Sequence, residues 1–452
     1  MQGSLDSDVL TILRETEFSM HETGGVRVFH NSADSEGDQK ATLCFVKKYE
    51  TAEEAQRAEL LIDFYLRGLE KGTPKYATAD ALYRAFTFAG IERPRIYTSR
   101  IQNQLVLAID LSIPQGAFGI TSLEQSSGIL EELLTEPLIR TSGEVFAAAQ
   151  QDEINRVKAK KEMHNERALS LFYHHFFPSV FPFGEEKEMR LISASAKHDL
   201  SAAIDAHISG SFPLLFFSGE FSVQEVAKYL LPFFEVYPCR GDRSALVVPP
   251  PLQLPRPESS VFVQGPSEEM QLLRAYPLAR VPSEEERVAL EVINYLLGVG
   301  WTSKFYKIIR DKHNLVYRIR SEVKSGSNQI LITTGHKHTD YARIVKLTGE
   351  IFTDIARGNF TDDEIQQSLS ESMVDLEGDI DASREFRGCN QPGFRVTREF
   401  QRRITGQVPD FSLEREYKLM ANLTPDRLRE VARRYLNPNV SQVFTYCNKE
   451  GS

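Results

Sequence analysis

Five prolines fall within the stretch VVPPPLQLPRPESS, residues 247–260, and this is the sharpest break in the chain. Proline fixes its own φ and donates no backbone hydrogen bond, so a run this dense carries neither a helix nor an interior strand and travels extended. It leaves residues 1–246 and 261–452 as two blocks of comparable length. A chain of 452 residues is already too long for one hydrophobic core. Two blocks of similar size raise the question of an internal duplication.

The ends of the two blocks read alike. KHDLSAAIDAHISGSFPLLFFSGEFS, 197–222, is a helical pattern, a turn with proline and an apolar strand; TPDRLREVARRYLNPNVSQVFTYCNK, 424–449, repeats that order. Each block also carries β-branched and aromatic alternation broken by a polar middle, IYTSRIQNQLVLAIDL at 96–111 and VYRIRSEVKSGSNQILITTGH at 316–336. These predict hairpins. Long helical stretches at 142–177 and 361–386 separate the hairpins from the closing strands. The fold class predicted is α+β: two similar halves, each an antiparallel or mixed sheet packed with helices, joined by the proline-rich linker into a clamshell.

Bulk composition narrows the functions available. The formal charge is −10, which argues against nucleic acid as a main partner, because phosphate binding needs a concentrated basic face. On this balance a basic peptide is tolerated. Cys44, Cys239, Cys389 and Cys447 lie far apart without paired spacing, which speaks against a disulfide framework or a thiolate metal site. No apolar run reaches the length needed to span a bilayer, and no basic-then-apolar leader opens the chain, so no membrane partner and a cytoplasmic location are expected.

The segment LLGVGWTSKFYKIIRDKHNLVYRIRSEV, 296–323, combines a Gly-rich loop, a helix expected from about Ser303 to Lys312, and a strand. Gly298 and Gly300 permit positive φ or a close backbone approach. This segment resembles the second half of the pitrilysin, insulinase and mitochondrial processing peptidase family, zinc peptidases of the inverted H-x-x-E-H type. Family members carry an Arg and a Tyr seven residues apart here; the matching residues are Arg310 and Tyr317. The resemblance implies that this pair contacts peptide held at a zinc ion in the opposite half, with a guanidinium and a phenol suited to an oxygen gaining charge. It implies substrate-facing roles for Gly298 and Gly300, while Trp301 is read as lining the chamber or as core. KGTPKYATADALYRAF, 71–86, PSEEERVALEVINYLLGVG, 282–300, and the block from 191 to 234 resemble further family segments.

Carried onto this sequence, the zinc helix is degenerate. Counting back from Gly72-Thr73, the first His position holds Asp63, the catalytic Glu position Leu66 and the second His position Arg67. Such a helix works because two imidazoles four apart share a face while the Glu activates water. A permanent cation at Arg67 opposes a metal, and the expected alternative is an ion pair between Asp63 and Arg67. The third ligand position is expected at Ala147 or Ala149, with Asp152 and Glu153 on the helix surface. His174 and His175 cannot converge easily on a helix, and His336 and His338 lack a third ligand nearby, so no metal is expected in this chain. No nucleophile elbow or phosphate loop replaces the lost site.

The resemblance thus implies a non-catalytic subunit, with a degenerate first half (1–246) and a second half (261–452) that keeps the Gly-rich loop and the Arg/Tyr pair. Its implied partner is a homologous catalytic subunit with an intact H-x-x-E-H and the zinc, acting together on peptides or leader peptides. The alternative is a structural, core-type subunit or a non-proteolytic peptide-binding protein of the same fold. The aromatic run LSLFYHHFFPSVFPF, 169–183, reads as core before interface.

Overall fold

The computed structural model describes residues 19–31, 39–114, 116–236, 238–246, 250–254, 259–385 and 413–448. The first half supplies β1 (Ser19–Thr23), β2 (Val26–Asn31), β3 (Gln39–Lys48), β4 (Arg95–Ile101), β5 (Gln104–Ile113) and β6 (Phe212–Ser218), in the sheet order β1-β2-β6-β3-β5-β4. The second supplies β7 (Ser259–Gln264), β8 (Met270–Pro277), β9 (Val316–Lys324), β10 (Gln329–His336) and β11 (Gln442–Cys447), in the order β7-β11-β8-β10-β9. With β1 set aside, the two orders are the same. The parallel pair also recurs at the same place, β2 with β6 and β7 with β11, while every other pairing is antiparallel. The two similar halves expected from the sequence are therefore present, each as a mixed sheet with helices.

In chain order the first-half helices are α1 (Ala52–Leu69), α2 (Ala79–Phe88), α3 (Gly116–Thr135), α4 (Leu138–Thr141), α5 (Gly143–Glu162), α6 (His164–Phe176), α7 (Glu185–Ala194), α8 (Lys197–Ser209) and α9 (Val223–Val236). Those of the second are α10 (Glu284–Asn294), α11 (Tyr341–Ala356), α12 (Asp362–Glu385), α13 (Leu413–Ala421) and α14 (Pro425–Tyr435), with π-helical stretches at Tyr295–Val299 and Phe305–Lys312. Both predicted hairpins form. Asn328, with φ of 46°, turns β9 into β10, and asparagine tolerates this left-handed conformation better than most residues.

Strand alternation explains the layering. Leu105, Leu107, Ile109 and Leu111 of β5 face α1, whose Ile62, Phe64 and Tyr65 complete that core. In the second half Ile330 and Ile332 of β10 pack with Leu290 and Ile293 of α10. The opposite face of the second sheet is covered from the other half of the sequence: Phe172 and Phe176 of α6, with Phe177 and Val180, pack on Leu273, Ala275, Leu331, Phe444 and Tyr446. The aromatic run is core, but core shared between the halves.

The linker is held at two points of its described stretch. Gln102 Nε2 in the β4–β5 turn donates to the Pro250 carbonyl (2.7 Å), and Leu252 N donates to the Gly326 carbonyl in the β9–β10 turn (2.9 Å). The sequence boundary at 260 falls inside β7, which already begins at Ser259. Phe172 is fully buried in the shared layer, so Phe172→Ala should lower stability by about 3–5 kcal/mol, measured by urea unfolding.

Candidate functional site

Thr51 caps α1, its Oγ1 accepting from Glu54 N, and the helix then carries Asp63 and Arg67 on one face, four residues apart. The expected pair between them does not form. Both side chains turn instead to α5, because that helix brings a buried carboxylate and a guanidinium against them. Arg67 Nε lies 3.5 Å from Glu153 Oε2, and Arg156 Nε donates to both Glu153 oxygens at 2.9 and 2.8 Å. The Arg156 guanidinium is also 3.7 Å from Asp63 Oδ2, and Asp63 Oδ1 accepts from Thr98 Oγ1 of β4 at 2.5 Å. Two anions and two cations alternate between the helices.

This arrangement corrects the expected surface placement of Glu153. Ala147 is exposed and Ala149 is buried in the apolar core, whereas Glu153, expected at the surface, is fully buried and faces the helix of Asp63 and Arg67. Ala149, Glu153 and Val157 form a buried stripe at four-residue spacing. A glutamate on that stripe was the signal the sequence offered. Leu66 is buried with Leu69, Leu82 and Phe86, so the catalytic Glu position is part of the core.

Zinc does not fit these residues. Arg67 and Arg156 already neutralise the carboxylates that could ligate it, and neither His position holds an imidazole. Among the described residues no group of three or more His, Cys, Asp or Glu is placed to hold a metal ion. His174 Nδ1 is 2.6 Å from the Phe181 carbonyl, and buried His336 has its Nδ1 2.8 Å from the Lys337 carbonyl, its ring stacked near Tyr341.

Burial raises the Asp63 carboxyl to about 6, with Glu59 adding to the rise and the Thr98 hydrogen bond and Arg156 opposing it. The folded protein therefore binds this proton more tightly than the unfolded chain, where an aspartate titrates near about 3.9. Its contribution to stability is present below pH ~4 and lost as pH rises through ~6. Asp63→Asn should remove that loss, read as a flatter melting temperature between pH 4 and 7. Glu153 depends more on the partly buried Arg156 than on Arg67, whose side chain is 43% exposed. Arg156→Met should cost about 3 kcal/mol or more and Arg67→Met about 1 kcal/mol or less in urea unfolding.

The second-half site is of a different kind. Gly298 and Gly300 are both buried, and neither has positive φ. A Cβ on Gly298 would stand 2.6 Å from the Phe305 ring and 2.7 Å from Ser321 Oγ; one on Gly300 would meet the Glu371 carboxylate. The glycines allow a close approach and do not face outward, contrary to the expected substrate-facing role. Contacts with α12 fix the loop: Thr302 Oγ1 donates to Glu371 (2.8 Å), Lys304 Nζ to Glu364 (2.6 Å) and Tyr295 OH to Asp375 (2.6 Å).

What the loop exposes is Trp301, 75% accessible, its ring edge-on to Tyr306 at 5.4 Å. The expected helix from Ser303 is π-helical from Phe305 and ends at Lys312. It carries Arg310 back toward the strand, so the guanidinium lies 4.4 Å from the Tyr306 ring centre and 5.7 Å from that of Tyr317, which is 88% exposed. Arg310 makes no ion pair among the described residues. The structure thus brings Arg310 and Tyr317 together, adds Trp301 beside them, and adds Tyr306, which sequence reasoning missed although it stands four residues before Arg310.

Residues 196–371 match the family model described as the peptidase M16 inactive domain. The chain is 24% identical over 178 residues, 38% of its length, to an uncharacterized zinc protease of Streptomyces coelicolor, of which the match spans 36%. The chain thus covers only about a third of that curated relative. Over 96% of its length it superimposes on a conserved protein from Enterococcus faecalis (TM-score 0.77, 16% identity, all of that chain). It superimposes equally far on a peptidase M16 inactive domain from Pseudomonas fluorescens (TM-score 0.74, 14% identity, 99% of that chain). The chain is thus similar to the M16 inactive domain in sequence over residues 196–371, and it shares the fold of these solved structures over nearly its whole length. Among the described residues no helix is long and apolar enough to cross a membrane.

Proposed function

We propose that this chain is the non-catalytic subunit of a two-component zinc peptidase, contributing Arg310 and Tyr317 to peptide held at the zinc of a homologous catalytic subunit with an intact H-x-x-E-H. The observation that carries the reading is the contrast between the two sites. At Asp63, Arg67, Glu153 and Arg156 every charge has a counter-charge in the chain, while Arg310 has only aromatic faces among the described residues and stands beside an exposed phenol. A guanidinium and a phenol held this way can donate to a carbonyl oxygen as it gains charge. Trp301 extends the surface, and Gly298 and Gly300 serve by shaping the loop.

The work of the pair is peptide or leader-peptide processing in the cytoplasm, with zinc in the partner and nucleic acid no part of it. Buried Cys44 and Cys447 and partly exposed Cys239 are not disulfide-bonded, which suits a reducing compartment; Cys389 lies outside the described residues.

The purified chain alone should bind no stoichiometric zinc and cleave no peptide. Mixed with a catalytic partner, it should raise cleavage, and Arg310→Ala or Tyr317→Phe should slow the mixture by about tenfold to a thousandfold. Unchanged rates in both variants would favour a structural or purely peptide-binding role. Metal binding with cleavage by the isolated chain would overturn the reading.

A further inference from the structure

We infer that the open edge of β9 docks an extended acidic peptide, whose carboxylates meet Arg318 and Arg320 while its backbone runs past Tyr317 toward Trp301. This rests on the reading above in taking that surface as peptide-facing, and it adds the class of peptide.

Strand β9 ends the second sheet: β10 lies on one side and no described strand on the other. Half of its outward backbone groups are thus available to an added strand. Arg318 and Arg320 are exposed, and neither side chain has an ion pair or hydrogen bond among the described residues. Several arginines elsewhere are matched, as with Arg100 to Glu59 at 2.7 Å and Arg140 to Asp205 at 2.7 Å. Within residues 301–324 there are seven lysines and arginines but only two carboxylates, Asp311 and Glu322, the latter paired with Lys324 at 2.5 Å. Lys304 is paired with Glu364 and Lys324 with Glu322, so the uncompensated positive charge of this stretch includes Arg310, Arg318 and Arg320, in a chain whose formal charge is −10.

Register fixes the direction in which Arg320 points. Arg320 stands opposite Thr333 and Glu322 opposite Leu331, and Leu331 packs with Phe172 in the layer shared with α6. Arg320 therefore continues the sheet face that bears α6, while Arg318 lies beside it at the irregularity between Thr334 and His336, where the strand bends. A free edge beside aromatic rings favours polypeptide over a phosphate polymer, which would gain nothing from strand pairing.

Trp301 is the single tryptophan, so its fluorescence reports occupancy without a label. The full chain, without a partner, would be titrated with a ten-residue peptide carrying Glu at alternate positions, with its Gln and Lys counterparts, and with oligo-dT. The Glu peptide should shift Trp301 emission and bind about tenfold or more tighter than the Gln peptide. Arg318→Gln/Arg320→Gln should remove about tenfold of that affinity and most of its salt dependence, with an unchanged circular dichroism spectrum. Equal binding of the Gln or Lys peptide, unchanged binding by the double variant, or tighter binding of oligo-dT would overturn the inference. Because no partner or cleavage is involved, failure here leaves the cleavage test of Arg310 and Tyr317 intact, and the reverse also holds.

Discussion

The carboxylate of Glu153 is buried, and burying it obliges the chain to surround it with positive charge. Arg156 and Arg67 supply that charge, Asp63 balances Arg156, and Thr98 ties Asp63 to β4. One buried acid thus fixes α1, α5 and an edge strand in mutual register. Guanidinium ions cross-link these elements, and their charge disfavours a metal ion at the same place.

The second half repeats the helix-to-helix arrangement with other groups. The stretch that follows α10 is tied to α12 by Tyr295, Thr302 and Lys304 reaching Asp375, Glu371 and Glu364, as α1 is tied to α5. Here the acids are spent on the loop, which leaves Arg310 to lie between Tyr306 and Tyr317. A guanidinium over aromatic faces keeps its donors available, since rings attract the charge without occupying its N–H groups. The duplicated scaffold accordingly holds a charge-neutralised centre in one half and a charge-presenting surface in the other.

Much of this was legible in the chain. Alternation of β-branched residues located both hairpins, the matching ends of the two blocks pointed to two similar halves, and the seven-residue spacing of Arg310 and Tyr317 pointed to a pair that the structure brings side by side. Sheet order was not legible, because the closing strands β6 and β11 insert between strands far away in sequence. Glu153 was misjudged since polar neighbours such as Gln151 and Asp152 disguise its place on the stripe of Ala149 and Val157. The glycines were misjudged for another reason: a missing side chain serves inward packing as readily as outward access, and only Phe305 and Ser321 decide between them. The net charge of the whole chain hid a basic stretch, since bulk charge averages over surfaces that never meet.

The hydrogen bonds from Gln102 to Pro250 and from Leu252 to Gly326 tie residues 250–252 to the tip of a hairpin in each half. Together with the α6 aromatics packed on the second sheet, they clasp one half of the sequence to the other, so drawing the sheets apart would have to break both kinds of contact at once.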